Sequence, residues 1–151
     1  MPVIAMESPD TPDALTLIDE LESHLASLYP AESRHGYSVE KLLREAVAFF
    51  VIREDGAAAG CGGVQLFGSE YGELKRMYVR PEFRGRGLGR LMLEHLADHA
   101  RRNGARLLRL ETGIHQKEAI GLYEGFGFER IPPFGEYKED PLSIFYEKRV
   151  A

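Results

Sequence analysis

With 151 residues, 44% of them hydrophobic, and a formal net charge of −5, the chain has enough apolar material for one core and little attraction for nucleic acid or an anionic membrane. It has no run of eighteen apolar residues to span a bilayer and no basic-then-apolar leader, and its one cysteine excludes an internal disulfide framework. The expectation is a single domain over residues 1–151 in a reducing cytoplasm.

Residues 3–6 suit a short first strand. Thr11 as N-cap and Pro12 at the first helical position then start a helix whose buried stripe is Ala14, Ile18, Leu21, Leu25 and Leu28. Tyr29-Pro30 ends it. The loop 31–37 carries Arg34 and His35, and Ser38 caps a short second helix through Leu42, Leu43 and Ala46. Phe49-Phe50-Val51-Ile52-Arg53 is a continuous run of β-formers, hence a strand; Asp55-Gly56 turns it, and residues 57–67 return antiparallel. Within that return Cys61 has no local His or Asp to activate it and reads as a small buried residue. Residues 73–79 form the next strand. Its apolar positions Leu74, Met77 and Val79 step by three and then by two, so the phase slips near Lys75-Arg76, the signature of a β-bulge.

Pro81 forces a turn, and Gly85, Gly87 and Gly89 open into a helical stripe of Leu88, Leu91, Met92, Leu96 and Ala100. Strand, glycine loop and helix start make an anion site: the glycines admit a ligand close to the backbone, and first-turn N–H groups have no intrahelical partner. Arg84, Arg86 and Arg90 ring the same spot. Residues 75–90 hold six basic side chains and one acidic, a local charge of +5 in an acidic protein. Such an island suits one polyanionic ligand better than a nucleic-acid surface. The P-loop pattern fails for want of its spacing and its Lys-Ser/Thr pair, and the dinucleotide fingerprint fails because the glycines run Gly-x-Gly-x-Gly. What remains, Arg84-x-x-Gly87-x-Gly89 after a strand ending in Tyr-Val-x-Pro, closely resembles the coenzyme A pyrophosphate loop of the GNAT superfamily, the acyl-CoA-dependent N-acetyltransferases.

Arg101 and Arg102 favour the helix C-terminus and Gly104 follows it. His95 and His99 are spaced i, i+4, but no acidic or sulfur partner recurs at a zinc spacing, so no metal site is expected. Residues 106–112 form a strand parallel to the bulged one through a right-handed crossover. In 116–128, Ala119, Leu122, Tyr123 and Phe126 share a helix face that Gly127 ends, and Tyr123 brings a hydroxyl onto it. Ala119-Ile-x-Leu-Tyr123-x-x-x-Gly127-Phe resembles the second GNAT motif, with Gln116 where many relatives carry Asn and Gly125 in place of a bulkier residue. Residues 128–131 and 143–150 are the last strands. Between them the aromatic, charged loop 132–141 is a candidate acceptor lid or subunit contact.

The resemblance covers residues 49–128, and the first 48 only in their helix–loop–helix pattern. It implies an α/β fold: a mixed, mostly antiparallel sheet of six to seven strands flanked by helices, with a bulge and a V-shaped split between two parallel central strands. It implies acetyl-CoA as co-substrate, held by Met77, Tyr78, Val79, Arg84, Gly85, Arg86, Gly87, Leu88, Gly89, Arg90 and Gln116, with Tyr123 facing the sulfur. In the family the segment between the first two helices lines the acceptor pocket, which makes Arg34 and His35 candidate contacts, and homodimers are common.

An alkyl amine has a pKa near 10.4 and must lose a proton before it can attack a thioester. Glu73, at the head of the bulged strand, is the leading general base and Glu111 its rival. A strand N–H near Tyr78 would meet the oxyanion, and Tyr123 would donate toward the leaving thiolate. The family transfers directly, with no acyl-enzyme. The function so implied is N-acetylation of a small or amino-acid-like primary amine. A protein N-terminal or lysine acetyltransferase and a non-catalytic acyl-CoA-binding module are the alternatives.

Overall fold

The apolar run in the middle of the first half becomes an inner strand, β2 (Ala48–Glu54), buried on both faces. Alternation decides which side chain goes where. Phe49 and Val51 join one apolar cluster, with Ala14, Leu17 and Ile18 of α1 (Pro12–Leu28) and Leu42 of α2 (Val39–Arg44). Phe50 and Ile52 join the other, with Leu88, Met92, Leu93 and Leu96 of α3 (Leu88–Arg102) and Tyr123 of α4 (Lys117–Phe126). Helices thus cover both faces of the sheet, and each fully buried leucine contributes roughly 1.5–3 kcal/mol.

The structure, a computed structural model, describes residues 1–151. The remaining strands are β1 (Pro2–Met6), β3 (Ala57–Phe67), β4 (Tyr71–Val79), β5 (Leu107–Gly113), β6 (Glu129–Ile131) and β7 (Ser143–Arg149). They form one seven-stranded sheet in the order β1-β2-β3-β4-β5-β7-β6. Only β4 and β5 pair in parallel; every other neighbour is antiparallel. This is the mixed, mostly antiparallel α/β sheet that the sequence led us to expect. No helix is long and apolar enough to cross a membrane.

Several local expectations shift. β4 begins at Tyr71, so Glu73 is its third residue and not its head. On α3 the buried arc runs through Leu88, Met92, Leu93, Leu96 and Ala100, which leaves Leu91 on the rim at 39% exposure. On α1 Leu17 enters the core, while Leu25 and Leu28 lie half-buried at the edge of the two cavities described below. On α4 only Tyr123 is fully buried. Ala46 falls beyond α2, where the chain turns through a φ of +51°.

Candidate active site

The site starts from a defect in the sheet. β4 and β5 pair only at Tyr71–Leu107, Gly72–Leu108 and Glu73–Arg109; beyond Glu73 the two strands part. On the other side of β4, Lys75 lies opposite Gly63 and Tyr78 opposite Cys61. Two residues, Arg76 and Met77, therefore face the single Gly62. That extra residue is the bulge, and Arg76 takes a φ of +53° to make it. Cys61 settles its purpose here: its thiol donates to the Arg76 carbonyl at 3.3 Å, and burial pushes the thiol up to about 12. A group so hard to ionise is structural.

Two cavities flank the split. The larger, about 1010 Å³, runs past the start of α3; the smaller, about 90 Å³, lies between β4, β5 and the loop after α1. They share Leu21, Met77, Gln116 and Tyr123 as walls, so they meet where the strands separate.

At its α3 end the large groove is lined by glycines, and larger side chains from β4 and α4 form its other walls. Gly87 precedes α3 with a φ of +77°, no side chain caps that helix, and its first turn holds no acidic residue. The positive end of the helix and its free N–H groups are left for an anion, at the size limit of roughly 300–1,000 Å³ usual for ligand pockets. Arg84, Gly85, Gly87, Leu88, Gly89 and Arg90 line this groove, as do Met77, Tyr78 and Val79. Arg84 reaches the Glu118 carboxylate at 3.0 Å and donates to the Val79 carbonyl at 3.2 Å. Arg86 departs from expectation. Its guanidinium turns to Glu54 at 3.5 Å and lies over the Phe83 ring, and it is not part of the groove wall. Gln116 borders both cavities, but its side-chain oxygen accepts the Gly113 N–H at 3.0 Å, which leaves only its amide nitrogen to offer a ligand.

The small cavity is lined by buried charge. Arg34, His35, Lys75, Arg76, Glu111 and Tyr137 all border it. Both members of the loop pair named from sequence therefore reach the site. The loop 132–141 closes over that pair: Asp140 lies 3.6 Å from the His35 ring nitrogen, and the Tyr137 ring meets His35 edge-on. Tyr29 forms part of the wall and accepts the His115 N–H at 2.9 Å. A Cβ on Gly113 would stand 2.0 Å from the Tyr29 hydroxyl, so this contact requires glycine.

The two candidate carboxylates have different surroundings. Glu73 is 3% exposed and does not border the cavity; one of its oxygens accepts from Lys75 at 2.7 Å and from Tyr137 at 2.5 Å. Burial lowers the pKa of Lys75 against the pull of Glu73. Glu111 borders the cavity, accepts the Ser143 hydroxyl at 2.8 Å, and has its pKa raised, chiefly by burial. Tyr123 is 6% exposed, with Phe128 and Tyr146 rings 5.7 and 6.5 Å away. Burial and the nearby Glu111 charge raise its pKa, so it stays a proton donor at neutral pH.

Sequence reasoning missed Tyr29, Glu22 and the cavity role of Lys75. Tyr29 read as a helix terminator, and Glu22 was not singled out. No local pattern marks either, because their partners lie far along the chain.

Residues 16–128 match the acetyltransferase (GNAT) family profile. The chain is 44% identical over 146 residues to a protein named IAA acetyltransferase from Azospirillum brasilense, covering 96% of this chain and 95% of that one. The crystal structure of a Klebsiella pneumoniae chain assigned as an acyl-CoA N-acyltransferase superposes with a TM-score of 0.86 at 35% identity, over 100% of this chain and 99% of that one. A Thermoplasma acidophilum N-acetyltransferase solved in complex with coenzyme A shares the fold, with a TM-score of 0.73 at 22% identity over 97% and 99% of the two chains.

Proposed function

The chain belongs to the GNAT acetyltransferase family, and from that premise we propose that it moves the acetyl group of acetyl-CoA onto the primary amine of a small or amino-acid-like acceptor, by direct attack. One observation carries this reading. A long groove at an uncapped helix N-terminus and a small charged cavity meet at Tyr123, where β4 and β5 separate. The groove fits a pyrophosphate-bearing ligand, because the glycine loop and the start of α3 offer N–H groups with no acid in the first turn, and Glu118 on the wall is paired with Arg84. Acetyl-CoA supplies the thioester; this chain supplies position and proton movement.

Glu111 is the base in this scheme. It borders the acceptor cavity, and its raised pKa brings it closer to the working pH. Glu73 instead holds Lys75 in place from behind the wall. Where β4 loses β5 as a partner, an N–H near Tyr78 would meet the developing oxyanion. Tyr123, kept protonated by burial, hydrogen-bonds or protonates the departing thiolate. Cys61, the one thiol, is buried and structural, so direct transfer needs no acyl-enzyme, and a reduced lone thiol suits a cytoplasmic location.

The test follows free thiol release from acetyl-CoA across a panel of primary amines, with calorimetry of acetyl-CoA binding alongside. Binding with turnover of at least one amine supports the reading; no heat with acetyl-CoA overturns it.

A further inference from the structure

The small cavity is bordered by two arginines with unpartnered donors that the acetyl-transfer scheme does not use. Arg34 and Arg76 both border it, one from the loop after α1 and one from the bulge. They share a single carboxylate: Glu22 Oε1 lies 3.2 Å from Arg34 Nη1 and Glu22 Oε2 lies 2.6 Å from Arg76 Nη2. Arg76 Nε donates to the Tyr37 carbonyl at 2.8 Å, and the Arg76 side chain is only 5% exposed. Even so, Arg34 Nε and Arg76 Nη1 are buried without any partner. Of the other ionisable groups of the wall, Lys75 is matched by Glu73, Glu111 accepts the Ser143 hydroxyl, and His35 lies beside Asp140. Buried donors on cations are almost always satisfied, and guanidinium groups pair best with planar carboxylates.

We propose that the acceptor itself supplies the missing hydrogen-bond partner: a small amino acid whose carboxylate is seated by Arg34 and Arg76 while its amine faces Glu111 across the split. The two ends of such a molecule lie a few bonds apart. β4 and β5, which carry Arg76 and Glu111, are adjacent strands, and the cavity is about 90 Å³. That space suits a free amino acid. The inference rests on the acetyl-transfer reading and narrows its acceptor.

The experiment pairs each amino acid with its amide and its decarboxylated amine, beginning with glycine and alanine, and follows thiol release at saturating acetyl-CoA. The acid should exceed its amide and amine in kcat/KM by at least about a hundredfold, since a site built to bond a polar group rejects analogues lacking it. Arg34→Gln should raise KM for the amino acid more than about tenfold and leave the acetyl-CoA Kd unchanged. Arg76→Lys, which keeps the buried charge, should do the same and serves as the second variant should Arg34→Gln fold poorly. Amides or amines turned over as well as the acids would overturn the carboxylate proposal while leaving the transferase reading standing. Acetyl-CoA binding with no turnover of any amino acid would also overturn it. Loss of acetyl-CoA binding itself in the wild-type chain would instead sink the reading beneath it.

Discussion

The two cavities that meet at Tyr123 are built on different principles. The α3 end of the groove is organised by backbone: glycines with positive φ and a helix end without a cap, beside arginines whose own partners lie near the surface. The small cavity is made of side chains, several of whose charges are paired or shared within the protein: Lys75 with Glu73, and Arg34 and Arg76 with one Glu22. A backbone site recognises what every cofactor of one class has in common. A side-chain site is where one acceptor is told from another.

That contrast can be broken by experiment, and Glu111→Gln should have the largest effect. If Glu111 is the base, kcat/KM falls about 10²–10⁴-fold with acetyl-CoA affinity intact, the range usual for losing one positioned proton acceptor. The wild type should also lose activity as pH falls through the Glu111 pKa. Burial raises that pKa, so the acid limb lies above the ordinary carboxylate value of about 4.3, and it disappears in the variant. An unchanged limb in Glu111→Gln would return the role to another group.

Tyr123→Phe should lower kcat about a hundredfold and leave the acetyl-CoA Kd within about twofold, because it removes one hydroxyl from the junction and no wall from the groove. A matching loss of affinity would show that Tyr123 is part of the groove alone. Gly87→Val should do the reverse. A β-branched residue at a φ of +77° costs about 1–3 kcal/mol, so acetyl-CoA binding weakens roughly tenfold while the dependence on acceptor concentration is unaltered. Isothermal titration separates the two. The smallest effect belongs to Arg86→Ala. Its exposed pairing with Glu54 is worth roughly 0–1 kcal/mol and its side chain is outside the groove wall, so the acetyl-CoA Kd should barely move. A tenfold loss would place that guanidinium on the cofactor after all.

The glycine loop and the bulge were legible before any coordinates. Three glycines at alternate positions and a phase slip at Lys75-Arg76 are local statements, and local statements survive folding. The same holds for the alternation of β2, whose unbroken apolar run announces burial on both faces. The buried face of α3 was read one step off, because Leu91 and Leu93 are equally apolar and only the sheet beneath decides which one is covered. Arg86 was grouped with its neighbours by spacing, and the tertiary position of Glu54 drew it away.

From sequence alone, then, came the chain's class, its helix and strand order, and the glycine turn that opens α3. All follow from periodicity, glycine conformational freedom and charge within short windows. Only the folded chain decided which carboxylate borders the small cavity, and which arginines are left short of a partner. Arg34, Arg76, Glu111 and Tyr137 come from four separate stretches, and the split between β4 and β5 is what brings them to one cavity, with Glu22 of α1 paired to both arginines. Burial and pairing are properties of that convergence, and no single stretch of sequence contains them.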